Sequence, residues 1–149
     1  MKDKGFTLLE LIIALCIVAI IATFAVPAYR QHVAKAHRLD AAAASMRAVQ
    51  FLESTRLAQA ATDAMTLSAG MDQAPSSGAP VYRLAVLPES ATNGGYSIEA
   101  TPVANGPMQD DSCGVFIVDA TGVRSNRTTG SAATALNNAQ STACWGGKN

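Results

Sequence analysis

The sequence predicts an α+β fold: one long N-terminal helix packed on a four-stranded antiparallel sheet. Three observations carry that expectation. No glycine occurs from Phe6 to Ala60, the only proline there is Pro27, and Leu, Ile and Ala dominate, a composition that favours helix. From Val81 onward the apolar residues change from helical spacing to a mixed alternation. The apolar segments there are separated by turn signals such as Asn93-Gly94-Gly95 and Asp119-Ala120-Thr121-Gly122, and short connections join antiparallel neighbours.

The helix reads as two halves. Residues 6–29 form the first, and the 19 residues from Leu11 to Tyr29 carry no charge. That is close to the ~20 residues a helix needs to cross a bilayer core of about 30 Å. Residues 30–60 form an alanine-rich spine, with Leu39, Ala42, Met46 and Val49 on one stripe suited to packing on a sheet. Glu53 interrupts that stripe, and Phe51 points elsewhere. Pro27 removes one backbone hydrogen bond and predicts a kink. His32 and His37 are five apart and fall on different sides of the helix, so they cannot share a metal.

Two ordinary explanations of the apolar run are a plain membrane anchor and a secretory signal peptide. Glu10 fits neither, since a carboxylate inside an apolar span costs about 2.5–3.5 kcal/mol on insertion scales. Pro27 and Tyr29 also make a poor cleavage region, and the run is long for a signal core.

Residues 61–80, rich in Ser, Gly, Pro and Asp, read as a helix-to-sheet connecting loop. The sheet is expected over 81–127, with strands at 81–87, 96–102, 114–119 and 123–126. Residues 128–143 are small and polar and would order poorly alone; 145–149 are a tail in which Trp145 packs over a neighbouring cysteine or against the sheet.

Gly5-Phe6-Thr7-Leu8-Leu9-Glu10, behind a short leader with Lys2 and Lys4, resembles the class III signal of type IV pilins and pseudopilins. The resemblance implies that residues 1–5 are a leader removed by a prepilin peptidase, between Gly5 and Phe6, and that Phe6 is then N-methylated. It also implies that residues 6–29 stay on the mature protein as a transmembrane and filament-core helix. Glu10 would pair with the α-ammonium of Phe6 on a neighbouring subunit, because two buried charges are less costly together than singly. The leader would lie in the cytoplasm and the domain in the periplasm until assembly exports the subunit into an extracellular pilus.

In that oxidising compartment Cys113 and Cys144 remain as a pair, Cys16 being a small apolar residue of the helix. The expected bridge bounds a segment, 113–144, that resembles the D-region of pilins. Cys113-Gly114 opening a strand, the Asp119–Gly122 turn and the closing Cys144-Trp145 resemble minor pilins of the PilE type. A disulfide-closed C-terminal loop on the pilin fold is therefore expected.

The expected partners are other pilin subunits, in a homo- or hetero-oligomeric filament, the peptidase and methyltransferase, the assembly platform and the inner membrane. The leading expectation is a minor structural subunit of a type IV pilus serving adhesion, twitching motility or DNA uptake. A type II secretion pseudopilin and a DNA-binding competence pilin are the alternatives. The chain carries 11 basic and 11 acidic residues. From Val81 onward Arg83, Arg124, Arg127 and Lys148 face five acids, which disfavours DNA as a partner. No Gly-x-Ser-x-Gly, phosphate loop or metal-ligand cluster is present, and both histidines lie on the first helix. No catalysis, cofactor or metal is expected.

Overall fold

The computed structural model describes residues 6–58 and 65–146. The expected leader, including Gly5, and residues 147–149 of the tail lie outside them. Helix α1 runs from Leu8 to Ala58. The chain divides into two compact units, one up to Val33 and one from Ala34.

In the first unit the apolar side chains of α1 face outward, with Leu8, Ile13, Val18 and Phe24 all more than half exposed. Thr7 sits at the helix start, where its Oγ1 accepts the amide of Glu10 at 3.3 Å. The helix is long and apolar enough to cross a membrane. Inside the run, the Thr23 hydroxyl donates to the Ile20 carbonyl at 2.6 Å, so this polar group needs no outside partner. The helix continues through Pro27.

The second unit holds the sheet. Its strands are β1 (Gln73–Ala74), β2 (Tyr82–Leu87), β3 (Ser97–Pro102), β4 (Val115–Asp119) and β5 (Arg124–Arg127), in the order β1-β2-β3-β4-β5 with every pair antiparallel. The expected meander is present, but with five strands rather than four. The additional one, β1, lies in the stretch expected to be a connecting loop. Two residues show no alternation, so only pairing of Gln73 with Arg83 and Ala74 with Tyr82 reveals it.

Register places Leu84, Ala100 and Phe116 in one row and Val86, Ile98 and Val118 in another, on one face of the sheet. That face shares one core with α1 residues Ala41, Ala44, Ala48 and Leu52. The buried stripe is Arg38, Ala41, Ser45, Ala48 and Leu52, rotated from the expected one. Ala42 is buried, Met46 and Val49 flank the core half-buried, and Leu39 is 43% exposed. The sheet supplies bulk through Tyr82, Tyr96 and Phe116, so close packing is met by small residues on the helix. Glu53, an apparent flaw in the stripe, accepts the Tyr96 hydroxyl at 2.8 Å, and Phe51 packs partly buried against the core.

Two buried tyrosines give this core a pH response. Burial, then the hydrogen bond to Glu53, holds the Tyr96 hydroxyl well above the usual tyrosine range. Burial, then the charge of Asp111, does the same for Tyr82. A folded pKa above the unfolded value of about 10 means their contribution is intact below pH 10 and is lost as pH rises through the folded values. The urea midpoint of the detergent-solubilised chain should therefore fall between pH 10 and 11, and less steeply in Tyr96→Phe. A flat profile over that interval would show that neither hydroxyl is held neutral by the fold.

The segment after β5, expected to order poorly alone, is pinned at its end by the Cys113–Cys144 bridge and also by hydrogen bonds. Thr128 N donates to Thr134 O and Leu136 N to Asn126 O, laying the loop along the edge of β5. Asn137 then caps helix α2 (Asn138–Trp145), its side chain accepting the Gln140 amide while the Gln140 side chain accepts the Asn137 amide. This reciprocal pair satisfies two helix-end donors. Trp145, assigned to the tail, is the last residue of α2.

Candidate functional site

Two surfaces carry the residues singled out from the sequence. The first is the start of α1. Phe6 is 82% exposed. Glu10 is exposed, lies 3.5 Å from the Thr7 hydroxyl and contributes its amide to the Thr7 cap. Thr7-x-x-Glu10 is a helix-start signature, so the acid has a local role that sequence reasoning missed although the spacing displayed it.

The second surface is the disulfide-bounded end of the domain. Cys113 and Cys144 are bonded, with Cα atoms 5.6 Å apart. Asn126 is buried and its Nδ2 donates to Cys113 O at 3.0 Å, tying β5 to the bridge. Asp111 accepts the Cys113 amide at 3.1 Å and forms a buried ion pair with Arg38 of α1, Nη2 to Oδ1 2.5 Å and Nε to Oδ2 3.0 Å. The turn that delivers Cys113 is thus held to the spine. Gly114 has φ +54°, and a Cβ there would strike the Arg127 carbonyl; only glycine permits that approach.

Trp145 follows the bridge. Its ring meets Phe116 edge-on at 5.4 Å, and Phe116 meets Tyr82 edge-on at 5.9 Å. The indole N–H donates to Ser125 O at 3.3 Å. Of the two placements open from sequence, the tryptophan packs against the sheet. The Arg124 guanidinium lies 5.5 Å from the indole centroid, within cation–π range. Arg124 pairs with Val118, and Asn126 with Phe116, so Arg124 shares the face on which α2 packs.

The other sheet arginines are committed. Arg127 meets Glu99 at 2.6 Å and Arg83 meets Asp72 at 3.4 Å. Arg124 is exposed and, among the described residues, joins no ion pair. A sequence signal for this surface existed: residues 120–149 contain Arg124, Arg127 and Lys148 and no acid. Counting charge from Val81 concealed it. Among the described residues no cluster of three or more His, Cys, Asp or Glu is placed to hold a metal.

A membrane-length apolar helix at the N-terminus, an antiparallel α+β domain and a disulfide closing its C-terminal segment define a subunit of the type IV pilin class. Residues 1–26 match the prokaryotic N-terminal methylation motif. Residues 27–117, more than half the chain, match the family described as "Type IV minor pilin ComP, DNA uptake sequence receptor", and the chain belongs to that family. A stretch of 35 residues is 54% identical to the fimbrial protein EcpB of Eikenella corrodens, covering 24% of this chain and 22% of that relative. The chain thus spans about a fifth of the length of that relative. The protein is a minor-pilin-type pilus subunit, anchored in the inner membrane by its apolar helix before assembly and extracellular afterwards.

Proposed function

We propose that this subunit places a DNA-receiving domain on a type IV pilus, acting as a structural and binding protein rather than an enzyme. The observation that carries the reading is the match over residues 27–117 to a family described as a DNA uptake sequence receptor. That match lies outside the N-terminal motif which pilins and secretion pseudopilins share, and it favours the pilus over a secretion pseudopilus.

The charge count that disfavoured DNA treats every acid as free. Asp111 is neutralised by Arg38 and Glu99 by Arg127, while Asp119 Oδ1 accepts the Thr121 and Val123 amides of its own turn. The pairs engage Arg127 and, through Asp72, Arg83 as well, so the net count is unchanged, but among the described residues Arg124 is left outside any ion pair. Pili sheared from cells with and without this subunit are expected to differ in capture of labelled duplex DNA while filaments persist in both. Equal capture would count against the receptor reading.

Delivery to the filament requires the N-terminal chemistry. Cleavage between Gly5 and Phe6 frees an amine, methylated on Phe6, that pairs with Glu10 of an adjoining subunit and sets the register. Pro27 loosens the helix so that the rod adapts to the filament core. Glu10→Ala should leave cleavage intact, by the mass of the mature N-terminal peptide, yet reduce incorporation into purified pili at least severalfold. Normal incorporation would exclude the pairing role.

A further inference from the structure

We propose that the ledge formed by Arg124 and Trp145 is a DNA contact, with the Arg124 guanidinium presenting two parallel donors to a pair of adjacent acceptors on duplex DNA. The proposal rests on the receptor reading and assigns it a place.

Four observations converge on this ledge. Among the described residues Arg124 is the sheet arginine that no carboxylate claims, whereas Arg83 and Arg127 are held by Asp72 and Glu99. Arg124 is exposed, and its guanidinium carbon lies 5.5 Å from the centroid of an aromatic ring. That ring is fixed three ways: by its N–H bond to Ser125 O, by edge contact with Phe116 and by the bridged Cys144 immediately before it. An open cleft is bounded by Arg124, Thr142, Trp145 and Gly146, so a ligand has room beside the guanidinium.

The chemistry follows from the planar fork. A guanidinium over an indole retains its N–H donors, and holding it in place lowers the ordering entropy lost on binding. Its fork matches two phosphate oxygens or the O6 and N7 atoms of guanine. Lysine keeps the charge and can still reach either pair of acceptors, but it lacks the planar fork and the hold on the indole. The thirty residues around the ledge lack any acid, so an approaching phosphate chain meets no repulsion from its own segment.

The chain has one tryptophan, which makes the ledge its own reporter. Full-length protein in detergent would be titrated with a fluorescein-labelled duplex across a salt series. Anisotropy reports binding anywhere, and indole emission reports binding at the ledge. Arg124→Ala is expected to weaken binding at least tenfold, and Arg124→Lys less than Arg124→Ala but measurably; Arg83→Ala is expected to bind as the parent does. Bound DNA is expected to quench Trp145 emission. Far-ultraviolet circular dichroism and the intact bridge by mass establish that each variant is folded.

If the acceptors are phosphate oxygens, Arg124→Ala lowers the salt slope by about one and weakens all sequences alike. If they belong to guanine, the loss is confined to duplexes carrying guanine at one position. Either pattern supports the ledge as the contact. Unquenched emission with DNA bound, together with parental affinity in Arg124→Ala, would overturn the ledge and leave the receptor reading standing. No anisotropy change for the parent protein even at low salt would remove both.

Discussion

Asp111→Ala is expected to destabilise the domain by about 3–5 kcal/mol, because it removes the carboxylate that meets the buried Arg38 guanidinium. Both side chains are only 7% exposed, so solvent screens the pair little. The loss reaches beyond the pair. Asp111 also accepts the Cys113 amide, and without it the turn leading into β4 loses its tie to α1. The contrast is the double variant Arg38→Met, Asp111→Leu, which removes both charges and refills the volume. It should recover most of the loss, since paired buried charges are often replaceable by apolar groups of similar size. Urea midpoints of the two single variants and the double variant, in detergent, give the coupling directly. A double variant as unstable as either single would show that the individual hydrogen bonds, rather than the charge pairing, dominate.

Replacing Cys113 and Cys144 together by serine should cost about 2–5 kcal/mol. The chain-entropy estimate for a loop of this size is about 4 kcal/mol. The separation of 31 residues spans β4, β5, the edge loop and α2, so the bridge restrains most of the domain's C-terminal part. The effect should be uneven. Strands β2, β3 and β4 keep their ladders, whereas α2 has only eight residues, too short to persist without its anchor. Trp145 should therefore become solvent-exposed at lower urea than the concentration that melts the sheet. The readouts are red-shifted indole emission for α2 and far-ultraviolet circular dichroism for the sheet. Coincident transitions would mean that α2 and the sheet unfold as one unit even without the bond.

These effects also bear on function. Arg124 can be held in place only while Trp145 is, and Trp145 is placed by the bridge and by Phe116. The disulfide-bounded segment thus carries both the bridge and, among the described residues, an exposed arginine outside any ion pair.

What was legible in the sequence follows from period and composition. A residue run with one proline and no glycine becomes one helix from Leu8 to Ala58. Alternating segments between glycine turns become consecutive antiparallel strands. The two cysteines outside the apolar run are bonded. Each of these signals is local, or depends only on which residues remain once the helix is assigned. β1 was illegible because two residues have no period. The rotation of the spine stripe was illegible because alanine and leucine score alike as apolar, and the buried face is set by the sheet that packs on it. The α2 start was written in Asn137-x-x-Gln140 but masked by a polar composition that resembles a loop.

The sequence by itself determined the membrane-length helix and the meander, because hydrophobic period and turn chemistry act over a few residues, and the resemblance of Gly5 to Glu10 to a class III signal pointed to the class of subunit. Only the tertiary structure decided which charges are cancelled and which stand free. Arg38, Arg127 and Arg83 find their acids 73, 28 and 11 residues away along the chain, while Arg124 finds an indole from another element. Electrostatics acts through space, so pairing depends on which strands and helices the fold brings side by side.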